Sequence, residues 1–160
     1  HILSLEMAPR RAVVNWAHAA LERASAKRVL LLTHAFLYKD GTLYDAQRTD
    51  QRWAPHTYPI FKADCLDPAR LWSEFIEPTP AIRTVLCGHA VEIEHGFCRL
   101  ERQSGPPVDA LLTNFQDHDA GGDGVTRFLN RVPGSDEWRL TTLHPERPEP
   151  LPSPVASIRY

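Results

Sequence analysis

The chain has 160 residues, 42% of them hydrophobic and 24% charged, with a formal net charge of −2. That composition fits one globular domain able to bury a core, and disorder is not the default expectation. Lys and Arg are scattered, so there is no footprint for duplex nucleic acid or an anionic membrane, and no apolar run approaches the roughly 20 residues of a membrane-spanning helix. The chain is expected to be soluble, with its compartment undetermined and no targeting segment visible before "HILSLE".

In chain order, "HILSLE" reads as a short strand and "PRRAVVNWAHAALERAS" as an amphipathic helix, with Pro9 at its first position and Val13, Trp16, Ala17, Ala20, Leu21 and Ala24 on one face. "RVLLLT" is apolar on both faces, as a central strand must be. A long polar and aromatic loop follows from His34, with an Asp-Gly turn at Asp40 and Gly41. Asp67 and Pro68 then make an N-cap and first helical position for a helix lined by Leu71, Trp72, Phe75 and Ile76, which Pro78 and Pro80 stop. "IRTVLC" is the next apolar strand, and "GFCRLE", "DALLTNFQ", "VTRFLNRV" and "EWRLTTLH" are further strands between Gly/Pro/Asp turns. The order is βαβαβ followed by a β-meander, over residues 1–144. Residues 145–160, beginning "PERPEPLPSP", read as a Pro-rich tail or linker.

Two of the apolar strands end on a histidine: "RVLLLTH" on His34 and "RTVLCGH" on His89. In open α/β sheets ligands sit outside the carboxyl ends of the strands, so two parallel strands with this ending point both imidazoles into one crevice. Neutral imidazole is a common ligand for divalent metals, and Gly88 permits close backbone approach to the metal. Three cysteines without C-x-x-C spacing signal neither a disulfide framework nor a Cys-rich zinc site, and Cys87 reads as a small buried residue. "DHDAGGDG" lacks the ligands of a calcium loop at its fifth and twelfth positions, where Gly121 and Phe128 stand, and Gly121 and Gly122 read as a site of close backbone packing. His18 and His144 read as surface or boundary residues; His56 and His118 lie on loops that could overhang the crevice.

The segments "LSLEMAPRRAVVNWA", "LLTHAFLYKDGTLYD", "VLCGHAVEIEHGFCRL" and "LLTNFQDHDAGGDGVTRFL" together resemble the C-terminal half of bacterial calcineurin-like metallophosphoesterases. The resemblance implies an α/β fold, part of a four-layer α/β/β/α sandwich. It implies hydrolysis of phosphoester bonds at a centre of two divalent cations (Mn, Fe or Zn), which stabilise the attacking and leaving oxygens. The substrate would be a phosphorylated small molecule or a phosphodiester. His34 and His89 match two of the metal ligands. The family's Gly-His-x-His pattern would put a further His at position 91, where Val91 stands; Glu92, Glu94 and His95 are the candidate replacements. Asn114 and Gln116 are candidates for supporting hydrogen bonds behind the ligands, and Tyr38, Asp40, Tyr44 and Asp45 for shaping the pocket. The Asp-x-His, Gly-Asp and Gly-Asn-His motifs that would precede "LSLE" have no counterpart, so the chain is expected to hold only the C-terminal ligands and to need a missing N-terminal half. The rival reading is a non-catalytic α/β binding module on a degenerate phosphoesterase scaffold.

Overall fold

The computed structural model describes residues 1–153 and 155–159. Eight strands form: β1 (Ile2–Ser4), β2 (Val29–Leu32), β3 (Ile82–Cys87), β4 (His95–Leu100), β5 (Val108–Thr113), β6 (Thr126–Arg131), β7 (Glu137–Leu143) and β8 (Ser157–Arg159). One sheet has the order β1-β2-β3-β5-β4 and the other β6-β7-β8. β1, β2, β3 and β5 run parallel, β4 pairs antiparallel at the edge, and the second sheet is antiparallel throughout.

Register assigns every side chain of the first sheet to a face. One row runs Leu3, Leu31, Val85, Ala110 and Cys98; the next runs Ser4, Leu32, Leu86, Leu111 and Phe97 on the opposite face. The first row belongs to the main core, against Val14 and Ala17 of α1 (Arg11–Arg23) and Leu71, Phe75 and Ile76 of the second helical segment. On the other face, Leu111 and Leu86 pack against Leu140, Ile158 and Trp138 of the second sheet. Cover on this side thins toward β1, where Ser4 is exposed and Leu32 half-buried.

β5 belongs to the first sheet, between β3 and β4, which corrects the expected meander. Val108, Asp109, Ala110, Leu111 and Leu112 are all buried, so this strand needs cover on both faces, whereas β4 tolerates an edge because Phe97 and Arg99 are exposed. Asp109 meets the cost of burial through a bidentate pair with Arg99 at 2.7 and 2.9 Å. The Pro-rich segment returns to the structure: Leu151 bridges Thr142, and β8 pairs with β7 and buries Ile158.

In α1 the buried face is Val14 and Ala17, with the half-buried His18 set edge-on against Phe75 at 4.7 Å. Trp16, expected on that face, is exposed, while Val14 and Ala17 take the buried positions and His18 meets Phe75. Pro9 precedes the N-cap, Arg10, rather than opening the helix. Asp67 caps α2 (Pro68–Leu71) as expected, accepting from Arg70 N at 2.8 Å, and the helix widens into a π-turn over Trp72–Ile76. Arg102, which the sequence did not single out, is buried beyond that turn and donates to the carbonyls of Ile76, Glu77, Thr79, Ile82 and Pro106. Among the described residues no helix is long and apolar enough to cross a membrane.

Candidate metal and ligand site

β2 and β3 are parallel neighbours with Leu32 beside Leu86, so the residues that follow them leave the sheet together. Thr33 N donates to Leu86 O at 3.1 Å and Gly88 N to His34 O at 2.9 Å, extending the ladder to the two histidines. His89 then takes a left-handed backbone conformation, φ +69°, which turns its ring back across the strand end. The result is His34 Nε2 facing His89 Nδ1 at 3.0 Å.

The roles of these nitrogens follow from their partners. His89 Nε2 lies 2.7 Å from the carbonyl oxygen of Trp53, which only accepts, so Nε2 carries the proton and Nδ1 presents a lone pair to His34. In that arrangement His34 Nε2 donates to His89. Burial and the neighbouring His89 both depress the His34 pKa, favouring a neutral ring. In its other tautomer His34 Nε2 carries a lone pair in place of the proton, so that both facing nitrogens are acceptors. Two nitrogens each about 2.1 Å from a cation, subtending about 90–110°, stand roughly 3.0–3.4 Å apart, a range that includes the 3.0 Å separation here.

Gly88 serves a different contact from the expected one. A Cβ there would meet Thr113 O at 3.2 Å, so the glycine permits the end of β3 to approach the end of β5. Behind the pair, Cys87 is buried between Leu37 N and Leu111 O, its thiol pushed up to about 12 by desolvation. Tyr44 is also buried, 5.8 Å from the His89 ring and 5.2 Å from the Tyr38 ring, forming the floor. Asp40 accepts from Thr42 in the expected turn, and Asp45 N donates to Gln51.

The proposed replacements are engaged with other partners, although Glu92 also lines the cavity over the pair. Glu92 pairs with Lys39 and Arg52, Glu94 with His118, and His95 accepts from Arg127 at 2.8 Å, its pKa lowered first by burial and then by that guanidinium. Among the described residues no third His, Cys, Asp or Glu joins His34 and His89 in a group able to hold a metal ion. Asn114 supports the site from behind: its side-chain N–H donates to Ala90 O at 2.8 Å and its Oδ1 accepts from Gln116 N at 3.1 Å. Gln116 lines the cavity over the pair.

That cavity measures about 690 Å³. Its apolar lining comes from Met7, Trp53, Tyr58 and Val91, and Arg52 and Asp117 add charge. The long loop does overhang the crevice, but through Arg52, Trp53 and Tyr58 rather than His56, which turns to Phe61. The density of aromatic residues in "RWAPHTYPIF" was the available signal. His118 lies in a neighbouring hollow, and His144, expected at the boundary, is buried and donates to Asp123 at 2.8 Å. Gly121 has no neighbour where its Cβ would be; it and Gly122 serve a positive-φ turn rather than close packing.

No family model, curated protein or solved structure matches this chain. The likeness to metallophosphoesterases therefore rests on the motifs quoted above.

Proposed function

We propose that His34 and His89 are two ligands of a divalent cation in a phosphoester-hydrolysing centre. The observation that carries this reading is the 3.0 Å approach of their ring nitrogens, with the opposite nitrogen of His89 tied to a backbone carbonyl. Such a bond behind a metal-ligating imidazole sets its tautomer and orientation. A divalent cation held there supplies positive charge beside phosphoryl oxygens. Trp53 O orients His89 and Asn114 steadies the turn that follows it, while Arg52 in the cavity lining is paired with Glu92.

Two neutral imidazoles leave a cation short of donors and of negative charge. The reading therefore takes the remaining ligands from polypeptide outside these 160 residues, completing the four-layer sandwich. The reading assigns such a segment to the open hollow of about 450 Å³ beside His34, lined by Ser4, Leu32 and Leu86 next to the edge strand β1. The rival binding-module reading is favoured by the lack of a third ligand among the described residues.

The test is calorimetric titration of Zn into the chain. His34→Ala and His89→Ala should each weaken binding by at least about 10-fold, and His18→Ala should leave it unchanged. Unchanged affinity in both ligand variants returns the reading to a binding module. By itself the chain should hydrolyse an aryl phosphate no faster than its His89→Ala variant, with Mn or Fe supplied.

A further inference from the structure

We propose that the cavity over the histidine pair binds a planar aromatic ring, carried by the anionic ligand whose charged end faces His34 and His89; this deepens the phosphoester reading and rests on it for the identity of that charged end. Three observations at Trp53 converge on the ring. Its residue is 51% exposed although it lines a cavity, and it stands outside both hydrophobic clusters. Its backbone lies in the left-handed region, φ +59°, a conformation that bulky residues rarely hold except where surrounding structure demands it. His89 Nε2 donates to the Trp53 carbonyl at 2.7 Å, so the backbone that carries the indole is tied to the candidate ligand.

Tyr58 adds a second aromatic face, its ring 5.7 Å from His89, and Met7 and Val91 complete the apolar lining. At about 690 Å³ the space has the size and the mixed lining of a small-molecule site, apolar walls around a few polar groups. Indole and phenol rings favour planar partners through stacked and edge-on contacts beyond simple burial of area, and thioether sulfur adds to them. Arg52 also lines the cavity, where it is paired with Glu92 at 2.8 Å, so the charged end of the ligand is assigned to the histidine pair rather than to Arg52.

The experiment compares phenyl-, cyclohexyl- and methylphosphonate, three stable anions that share a charged end, by calorimetry on the full chain without metal and again with Zn. The phenyl compound should bind at least 10-fold more tightly than the methyl compound and more tightly than the cyclohexyl one. Trp53→Ala should bring phenyl and methyl to within about 3-fold of each other, while Trp53→Phe retains most of the preference. Equal binding of phenyl and cyclohexyl, a preference that survives Trp53→Ala, or no measurable phenylphosphonate binding in either condition overturns the proposal. The metal comparison is separate: if Zn strengthens none of the three, the phosphoester reading fails, whatever the ring preference.

Discussion

His89 is held from two sides, by His34 at Nδ1 and by the Trp53 carbonyl at Nε2, and it follows Gly88, where β3 comes close to β5. A methyl group at residue 88 would press on Thr113 O, a backbone atom at the end of a buried strand that has little room to yield. Gly88→Ala is therefore expected to cost about 1 kcal/mol of stability and to weaken Zn binding by about 10-fold through displacement of His89. Urea denaturation and calorimetry measure the two effects, and full Zn affinity in a destabilised variant would show that the glycine serves packing alone. At this scale the two histidines were legible, because a strand-end position is a local pattern. Their partners were not: Trp53 is 36 residues from His89 and reaches it only through the fold of the loop.

The second helical segment shows how an element can depend on a residue far along the chain. Asp67 starts it through a local cap that "DP" announces, but its C-terminal carbonyls are satisfied by Arg102 from beyond β4. A buried guanidinium is tolerable here because it spends its donors on five carbonyls, two of them at the negative end of the helical turn, and its side chain lies 5.8 Å from the Trp72 ring. Arg102→Ala should destabilise the protein by about 3 kcal/mol, since it strands acceptors that water reaches poorly. Arg102→Lys should recover only part, because an ammonium cannot span the same set of carbonyls. A loss below about 0.5 kcal/mol in chemical denaturation would refute this role. The place of β5 between β3 and β4 was likewise present in the sequence, as an apolar run on both faces like those of β2 and β3; the turns on either side of it favoured the meander instead.

Across the whole molecule, the second sheet is small and joined to the first by few side chains, so its last strand matters. Ile158 is buried against Leu111 and Leu140, and Ile158→Ala should cost about 2–4 kcal/mol; for a solvated tail the loss would stay within about 0.5 kcal/mol, and thermal denaturation separates the two. Arg28, at the start of β2, holds Asp136 of the turn before β7 in a bidentate pair that ties one sheet to the other. That hydrogen bond holds the Asp136 carboxyl below the usual carboxylate range. A carboxyl with a depressed folded pKa contributes stability above its unfolded value, about 3.9, and loses that contribution as pH falls through the lower folded value. The urea midpoint should therefore fall from pH 6 to pH 2.5 by less in Asp136→Asn than in the wild type; equal falls would show the pair to be without effect on folding.

Periodicity and capping by themselves determined strands β1 to β7, the start of the second helix and the placing of two histidines at strand ends, because each depends on residues a few positions apart. Tertiary structure decided which face of α1 is buried, that the Pro-rich segment supplies a strand, and that Glu92, Glu94 and His95 turn to cations rather than to the histidine pair. It also gave the cavity its wall: Met7, Trp53, Tyr58 and Val91 come from separated parts of the chain. Local patterns survive in one dimension because their partners are neighbours in sequence. A ligand set or a cavity wall is a coincidence of distant residues in space, and only the packed chain brings those together.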